Sequence, residues 1–357
     1  DTTDIKLQSG VKVSDSSLNG SSKSIILSQS IFSGFARTYD LVASKSNYDL
    51  QKLNLEKNKQ DITLQTIEAY YNLLFLKKTY EAYVENFSNV NQRLEATKKE
   101  FEVGLLSKTD VAQAESFMNS AKINMLNSKV NYDNAVNLFN DLIGTESGEL
   151  SFSNIPVNLP LNFSEFKERV IINNLAIQMA KLNVDIKKAR VGYARSAYYP
   201  KVDLTATKTE FDESSTTIDS GTNEEVSATL TWPIFNSGKS ISNVRKAKES
   251  QNTYLIILQK TQIDTLTLAK KIWEQSEISK DQIIAAESSY EASSTAYEGT
   301  VIEQKVGERT VLDVLNAQQT LLNSEIELIN QRKNKEIIKS QVFYLMGDLT
   351  IENMRSL

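Results

Sequence analysis

Glycine and proline are spaced so widely in this chain that most of it reads as long helix. Gly34 and Gly104 bracket 69 residues free of both, and Gly104 and Gly144 bracket 39 more. The pattern returns later, with 60 such residues between Gly238 and Gly299 and 39 between Gly307 and Gly347. The totals, 12 Gly and 4 Pro in 357 residues, lie far below the average usage of roughly 7% and 5%. At 1.5 Å per residue, a helix of about 65 residues is roughly 100 Å long. A globular core of this size does not cover such a length, so the apolar stripes must bury against one another or against other chains.

The apolar spacing agrees. Val111, Ala114, Met118, Ala121, Met125, Ser128, Tyr132, Ala135, Phe139 and Leu142 step by alternating threes and fours, a heptad seam with one polar member. Upstream, Ile62, Ala69, Leu73, Leu76, Val84, Phe87, Val90, Leu94 and Phe101 also fall at helical intervals. These are packing faces.

Forty Lys+Arg against 45 Asp+Glu leave a net charge of −5, too little of either sign to argue for nucleic acid. Cys and His are both absent, which removes disulfides, thiolate and imidazole metal ligands, and every nucleophile–imidazole pair. No cofactor or metal site is expected. An enzyme would need convergent carboxylates in a pocket, and only scattered acids are visible. No apolar run approaches the roughly 20 residues of a membrane-spanning helix, whereas spanning strands remain open.

Laid on itself at an offset of 203, the chain pairs Ile31-Phe32 with Ile234-Phe235, Tyr70 with Trp273, Val103-Gly104 with Val306-Gly307, Asp110-Val111 with Asp313-Val314, and Gly144 with Gly347. Two copies of one large unit are implied. Phe163 to Ala197 reads as one helix with Ile172, Leu175, Met179, Leu182, Ile186 and Ala189 on one side. Its counterpart in the first half falls before residue 1, so the chain is expected to be a fragment whose native N-terminus lies upstream.

Two regions change period from about 3.6 to 2. Val202, Leu204 and Ala206 alternate with Asp203, Thr205 and Thr207, and Val226, Ala228, Leu230 and Trp232 alternate with Ser227, Thr229 and Thr231. With the acidic, Ser/Thr-rich stretch Phe211 to Glu225 between them, they read as a hairpin with a long polar loop. The first half repeats this: Ile5, Leu7, Val11 and Val13 alternate with Lys6, Gln8 and Lys12, and Ile25, Leu27 and Ile31 alternate with Ser24, Ser28 and Ser30, Ile26 being the exception. Each half is thus expected to own one hairpin. Strands of about ten residues with one apolar and one small polar face suit a transmembrane barrel; a soluble hairpin pair packed on helices is the alternative. Four strands cannot close a barrel, and lipid does not tolerate open edges, so the barrel reading requires oligomerisation.

At the strand-to-helix junctions stand Leu230-Thr231-Trp232-Pro233-Ile234-Phe235-Asn236-Ser237-Gly238 and its poorer copy Leu27-Ser28-Gln29-Ser30-Ile31-Phe32-Ser33-Gly34. The helical turns carry Val306-Gly307-Glu308-Arg309-Thr310-Val311-Leu312-Asp313-Val314-Leu315-Asn316-Ala317 and Val103-Gly104-Leu105-Leu106-Ser107-Lys108-Thr109-Asp110-Val111. In their order and spacing, with the 203-residue repeat, these resemble the TolC-like outer-membrane efflux proteins over essentially the whole chain. The resemblance implies a homotrimer whose four strands per chain form a 12-stranded β-barrel in outer-membrane lipid, continued by a long α-helical barrel across the periplasm. It implies an exit duct for small-molecule efflux or type I protein secretion that docks on a periplasmic adaptor and an inner-membrane transporter. On that plan, residues 1–33 and 201–236 are barrel strands and extracellular loops, 34–144 and 237–347 the two periplasmic helical hairpins, 145–163 an equatorial linker, 164–200 the helix leading to the second strand pair, and 348–357 a C-terminal segment.

The resemblance also assigns residues. The family's periplasmic end is nearly closed by an acidic ring just inside the second hairpin. The motif places Asp313 there, with Asn316 one turn on where some relatives carry a second Asp. Three carboxylates in a narrow mouth focus a negative potential that attracts cations. Closed-state links match Arg309 on one side with Thr109 and Asp110 on the other; Gln304 replaces a Tyr of some relatives, altering one link. Gly104, Leu105, Leu106, Ser107, Gly307, Glu308 and Thr310 form the adaptor-docking tips. Phe32, Tyr198, Tyr199, Trp232 and Phe235 map to the membrane interface. Asp212, Glu213, Asp219, Glu224 and Glu225 are read as a solvated loop. The competing reading is a periplasmic coiled-coil adaptor or scaffold, which the heptads alone permit; two helical hairpins and two lipid-suited strand pairs argue against it.

Overall fold

The computed structural model describes residues 2–7, 20–145, 159–215 and 218–349. In chain order the elements are β1 (Thr2–Leu7), β2 (Ser21–Phe32), α1 (Ala36–Glu102), α2 (Lys108–Ile143), α3 (Phe163–Asn173), α4 (Leu175–Arg195), a 3₁₀ turn (Ser196–Tyr198), β3 (Lys201–Ser215), β4 (Ile218–Thr231), α5 (Lys239–Lys305) and α6 (Val311–Met346). The 203-residue offset maps α1 onto α5 and α2 onto α6 residue for residue, with 67 residues in each member of the first pair and 36 in each of the second. None of the described helices is long and apolar enough to cross a membrane. The chain divides into two compact units, Asp1–Lys52 with Met179–Lys260, and Leu53–Gln178 with Thr261–Leu357.

The first unit holds a four-stranded antiparallel sheet in the order β1-β4-β3-β2. This corrects the expected pairing. β1 and β2 do not form a hairpin, because the β3–β4 hairpin lies between them and they become the two edges. Period-2 alternation specifies which face a residue occupies and says nothing about which strand is its neighbour. The expected long loop is also corrected. Strand pairing continues from Lys201↔Thr231 up to Ser215↔Ile218, so Phe211 to Glu225 is chiefly strand. Polar residues on both faces disguised it. The alternation read through Gln8, Val11, Lys12 and Val13 lies outside the described residues.

The register sorts the sheet into two chemistries. One face carries Ile25, Leu27, Phe32, Val202, Leu204, Ala206, Val226, Ala228 and Leu230, with Gln29 the one polar member below Lys208. The other carries Ser24, Ser28, Ser30, Thr205, Thr207, Thr209, Ser227, Thr229 and Thr231 together with the charged Lys201, Asp203 and Glu225, with Ile26 still the apolar exception. Hydroxyls meet across strands on that face, Ser24 to Thr209 at 3.1 Å and Ser28 to Thr205 at 3.5 Å. Ile31, expected to continue the apolar face, falls where the register shifts between Ser30 and Phe32, and Phe32 takes the place opposite Val202.

Both strand-to-helix corners use two consecutive left-handed residues, and the repeat exchanges which one is glycine. Gly34 and Phe35 have φ of 62° and 68°, and at the equivalent positions Ser237 and Gly238 have 54° and 78°. Phe35 is held by edge-on rings, Phe32 at 5.4 Å and Tyr199 at 5.6 Å. The Trp232 indole N–H donates to the Tyr198 carbonyl at 3.2 Å. Four of the five expected interface aromatics thus gather at this corner, while Phe235 is fully presented to solvent at 86%. Below the corner, α1 and α4 approach closely: Ala43 and Ala189 are buried, Gly192 lies against the Tyr39 ring, and Arg190 pairs with Asp40 at 2.7 Å.

In the second unit, Ile67, Tyr71, Leu74, Phe166, Val170, Ala269, Ile272, Val342, Leu345 and Met346 form the main core. Phe166, wholly buried, stacks on Trp273 with ring centroids 5.4 Å apart; burying such a side chain contributes about 3 kcal/mol. Two smaller clusters follow along the helices, Leu73 with Ala135 and Phe139, and Val90 and Leu94 with Ala114, Ala121, Val311 and Leu315. The heptad seam of α2 is buried as expected at Ala114, Ala121, Ser128, Ala135 and Phe139, whereas Leu142, and upstream Ile62, Val84 and Phe101, are exposed in the single chain.

The single helix expected over 163–197 is broken at Asn174. Its buried amide satisfies both sides of the break: Oδ1 accepts from the N–H groups of Ala176 and Ile177 at 3.1 and 3.3 Å, and Nδ2 donates to the Leu345 carbonyl at 3.0 Å. An Asn amide caps a helix start as well as a Ser or Asp does, which no apolar periodicity reveals.

The corners give a stability test. A Cβ on Gly34 meets the Ser196 carbonyl oxygen at 2.6 Å and Tyr199 Cβ at 2.8 Å, whereas Ser237 already accepts its left-handed backbone. Gly34→Ala is expected to destabilise by about 2 kcal/mol or more, and Ser237→Gly to change stability by less than about 1 kcal/mol, both read as unfolding transitions in detergent.

Candidate functional site: the helical hairpin tips

Both tips, which lie in the second unit, are built by the same local chemistry. α1 ends in a Schellman motif at Gly104, φ 81°, with Leu105 N–H on the Glu100 carbonyl and Gly104 N–H on that of Phe101, each at 2.9 Å. α5 ends identically at Gly307, φ 80°, with Glu308 N–H on Glu303 at 3.0 Å and Gly307 N–H on Gln304 at 3.1 Å. A Cβ at either glycine meets nothing within 4 Å. The positive φ, not crowding, demands glycine there.

The returning helices start with reciprocal capping boxes. The Ser107 hydroxyl accepts from the Asp110 N–H, and the Asp110 carboxylate takes the Ser107 N–H at 2.9 Å and its hydroxyl at 2.7 Å. Thr310 and Asp313 repeat this with 2.9 and 2.8 Å. Both aspartates therefore have a structural task that the sequence reading did not give them, although Ser107-x-x-Asp110 and Thr310-x-x-Asp313 have the spacing that signals it. Hydrogen bonds from the Ser107 hydroxyl and N–H hold the Asp110 carboxyl below the ordinary carboxylate range. For Asp313 the Thr310 N–H acts first, then the hydroxyl, with Arg309 adding its charge. A lowered carboxyl pKa stabilises fully above the ordinary carboxylate range and is lost as pH falls through the depressed value.

The remaining expected site residues divide. Arg309 Nε donates to Glu303 Oε2 at 2.9 Å on the exposed flank of its own turn. Among the described residues it makes no bond to Thr109 or Asp110 of the same chain. Gln304 Oε1 accepts from the Arg93 guanidinium at 3.2 Å, joining the ends of α5 and α1. Glu303 and Arg93 are partners the sequence reading missed; their separations of 6 and 211 residues leave no local signal. Asp313 is half-buried and Asn316 exposed one turn further along α6. Leu105 is 75% exposed, whereas Leu106 packs on the Val90–Leu94 cluster. The two leucines are not equivalent: one secures the turn and the other is presented outward; Val103 and Val306, each before its own turn glycine, are exposed as well. No group of His, Cys, Asp or Glu among the described residues could hold a metal ion.

Two similar long-helix hairpins, each capped by glycine and by a Ser/Thr–Asp box, together with a two-faced sheet, can be compared with known proteins. The family profile described as outer membrane efflux protein matches residues 3–145 and 168–348. The chain belongs to the outer membrane efflux protein family. Outer membrane efflux protein BepC of Brucella suis is 24% identical over 331 residues, covering 92% of this chain and 73% of that protein. Outer membrane protein TolC of Escherichia coli is 25% identical over 368 residues, covering 95% of this chain and 72% of its own. The crystal structure of the Campylobacter jejuni CmeC outer membrane channel superposes with a TM-score of 0.80 at 18% identity, over 97% of this chain and 76% of that one. Family membership places the protein at the outer membrane.

The capping boxes predict a local effect. Thr310→Ala is expected to cost about 1 kcal/mol at the start of α6, seen as roughly fivefold faster amide hydrogen exchange over residues 311–314. Acidifying the parent protein through the depressed carboxyl values is expected to lower the protection of the same amides, measured against the intrinsic exchange rate at each pH. Unchanged exchange in both cases contradicts the cap.

Proposed function

We propose that three copies of this chain form a passive outer-membrane conduit for efflux or type I secretion, closed at the periplasmic hairpin tips and opened by docking on an adaptor and an inner-membrane transporter. The observation that carries this reading is the sheet: one face hydrocarbon-like, the other lined with hydroxyls, and its edges β1 and β2 left open. Twelve strands from three chains close those edges, put the apolar face against lipid and leave the hydroxyl face to water. Exposed Ile123, Leu126 and Val130 on α2 and Ile256, Ile263, Ile278 and Ile284 on α5 support the same assembly, since a second and third copy bury them. In that assembly the strands and their connections form the barrel, the α1–α2 and α5–α6 hairpins cross the periplasm, and Phe32, Tyr198, Tyr199, Trp232 and Phe235 sit at the periplasmic interface of the outer membrane. The two halves descend from one duplicated unit.

At the tips, Asp313 from each chain forms the constriction ring, with Asn316 a neutral second tier. Arg309 holds neighbouring hairpins through Thr109 and Asp110 when it leaves Glu303, and Gln304 ties the two tips of one chain through Arg93. Leu105, Ser107, Glu308 and Thr310, at the turns set by Gly104 and Gly307, meet the adaptor; Leu106 positions the first turn. The conduit needs no cofactor and performs no catalytic step.

In planar bilayers, Asp313→Ala is expected to weaken block of the single-channel current by trivalent cations about tenfold or more, while Thr310→Ala, which breaks the cap and keeps the charge, leaves block unchanged. Equal loss of block in both variants assigns the effect to the cap and removes the ring. Arg309→Ala is expected to raise conductance by loosening the tips.

A further inference from the structure

Above the level of Lys208 the described side chains of β2, β3 and β4 form no apolar face. Up to that level, the lipid-suited face presents Val202, Leu204 and Ala206 on β3 and Leu230, Ala228 and Val226 on β4. At the next step it presents Lys208 and Glu224, opposite each other in the register and paired at 2.9 Å, with Glu210 also 3.9 Å from the lysine. Beyond them the same face carries Ser21, Lys23, Glu210, Asp212, Ser220 and Thr222, every one polar. On β2, β3 and β4 the opposite face there is Ser22, Ser24, Thr209 and Asn223, with Phe211 the apolar one among their described side chains. Yet pairing runs on to Ser215↔Ile218, and β1 pairs with β4 alongside it, from Thr2↔Glu224 to Leu7↔Ile218. So strand pairing continues through a part of the sheet unsuited to hydrocarbon.

We infer that the membrane surface lies at the Lys208–Glu224 row and that the strands above it stand in water as a polar β-collar rising from the outer face. This rests on the barrel reading proposed above and adds where the barrel leaves the lipid. A lysine or carboxylate on a lipid-facing strand is costly at mid-bilayer and nearly free at the interface. The row of opposite charges therefore fits zwitterionic or phosphate-bearing headgroups, whereas the six polar residues above it fit neither chains nor headgroups buried on one side only. From Glu224 to Trp232 is eight residues, about 27 Å along the strand, or about 20 Å of membrane depth at a tilt near 40°. That is a thin hydrocarbon belt, bounded below by Trp232 and Phe32 and above by Lys208. The partner of the lower face is lipid chain; the partner of the collar is water.

The chain has no cysteine, so single cysteines report position without background. Glu210→Cys and Thr222→Cys place the thiol above the row on this face, and Leu204→Cys and Ala228→Cys place it below. Each variant, embedded in outer membranes of intact cells, is reacted with a membrane-impermeant maleimide, and the rate is normalised to the same variant unfolded in denaturant. The expected result is at least tenfold faster labelling at 210 and 222 than at 204 and 228. Protection at all four positions overturns the collar and leaves the barrel standing, because lipid then covers the charged half too. Rapid labelling at all four overturns the barrel reading along with the collar.

Discussion

A β-sheet that faces hydrocarbon cannot leave its edges open, and that constraint governs the rest of this molecule. In water an unpaired strand edge is hydrated; against lipid chains each bare N–H and C=O has nothing to bond. The chain supplies four strands, with β1 and β2 as edges, and its apolar face is nearly continuous from Phe32 and Val202 to Ala206 and Val226. The closure by further copies of the same chain proposed above would satisfy the edges and separate lipid from water with one wall. The hydroxyl ladders of the opposite face, such as Ser24 with Thr209, would then line the inside.

The helices answer to the same logic at a different period. Helices of 67 residues cannot be stabilised by propensity alone, and tertiary packing must supply most of their stability. Within one chain that packing is discontinuous. It is dense where Phe166, Trp273 and Met346 meet and again where Leu94, Ala114 and Leu315 meet, but a row of isoleucines on α5 has no cover. The tips, by contrast, are locally self-sufficient. Schellman turns and capping boxes satisfy their backbone groups without help from a neighbour. A tip that holds its own shape can shift as a unit without melting its helices.

Much of this was legible in the residues. The glycine spacing marked every helix end in the two hairpins because a C-terminal left-handed residue is where glycine has no rival, as Gly104, Gly144, Gly307 and Gly347 show. Strand faces were legible because side chains alternate strictly. Strand neighbours were not, since Ile25 packs beside Lys208, which is 183 positions away. The break at Asn174 escaped because its polar side chain sits within an otherwise unbroken apolar rhythm. Asp313 was singled out for its charge, while its hydrogen bonds to Thr310 give it a second role that the Thr-x-x-Asp spacing already carried. Arg309 was matched to partners across the tips, whereas within the chain it finds Glu303 around its own turn.

The central claim is that one chain cannot complete the wall. The number of chains in the detergent-extracted particle tests it most directly, by native mass spectrometry after gentle removal of the detergent shell. The account requires three chains per particle and loss of solubility when detergent is withdrawn. A single chain that stays dissolved without detergent contradicts it.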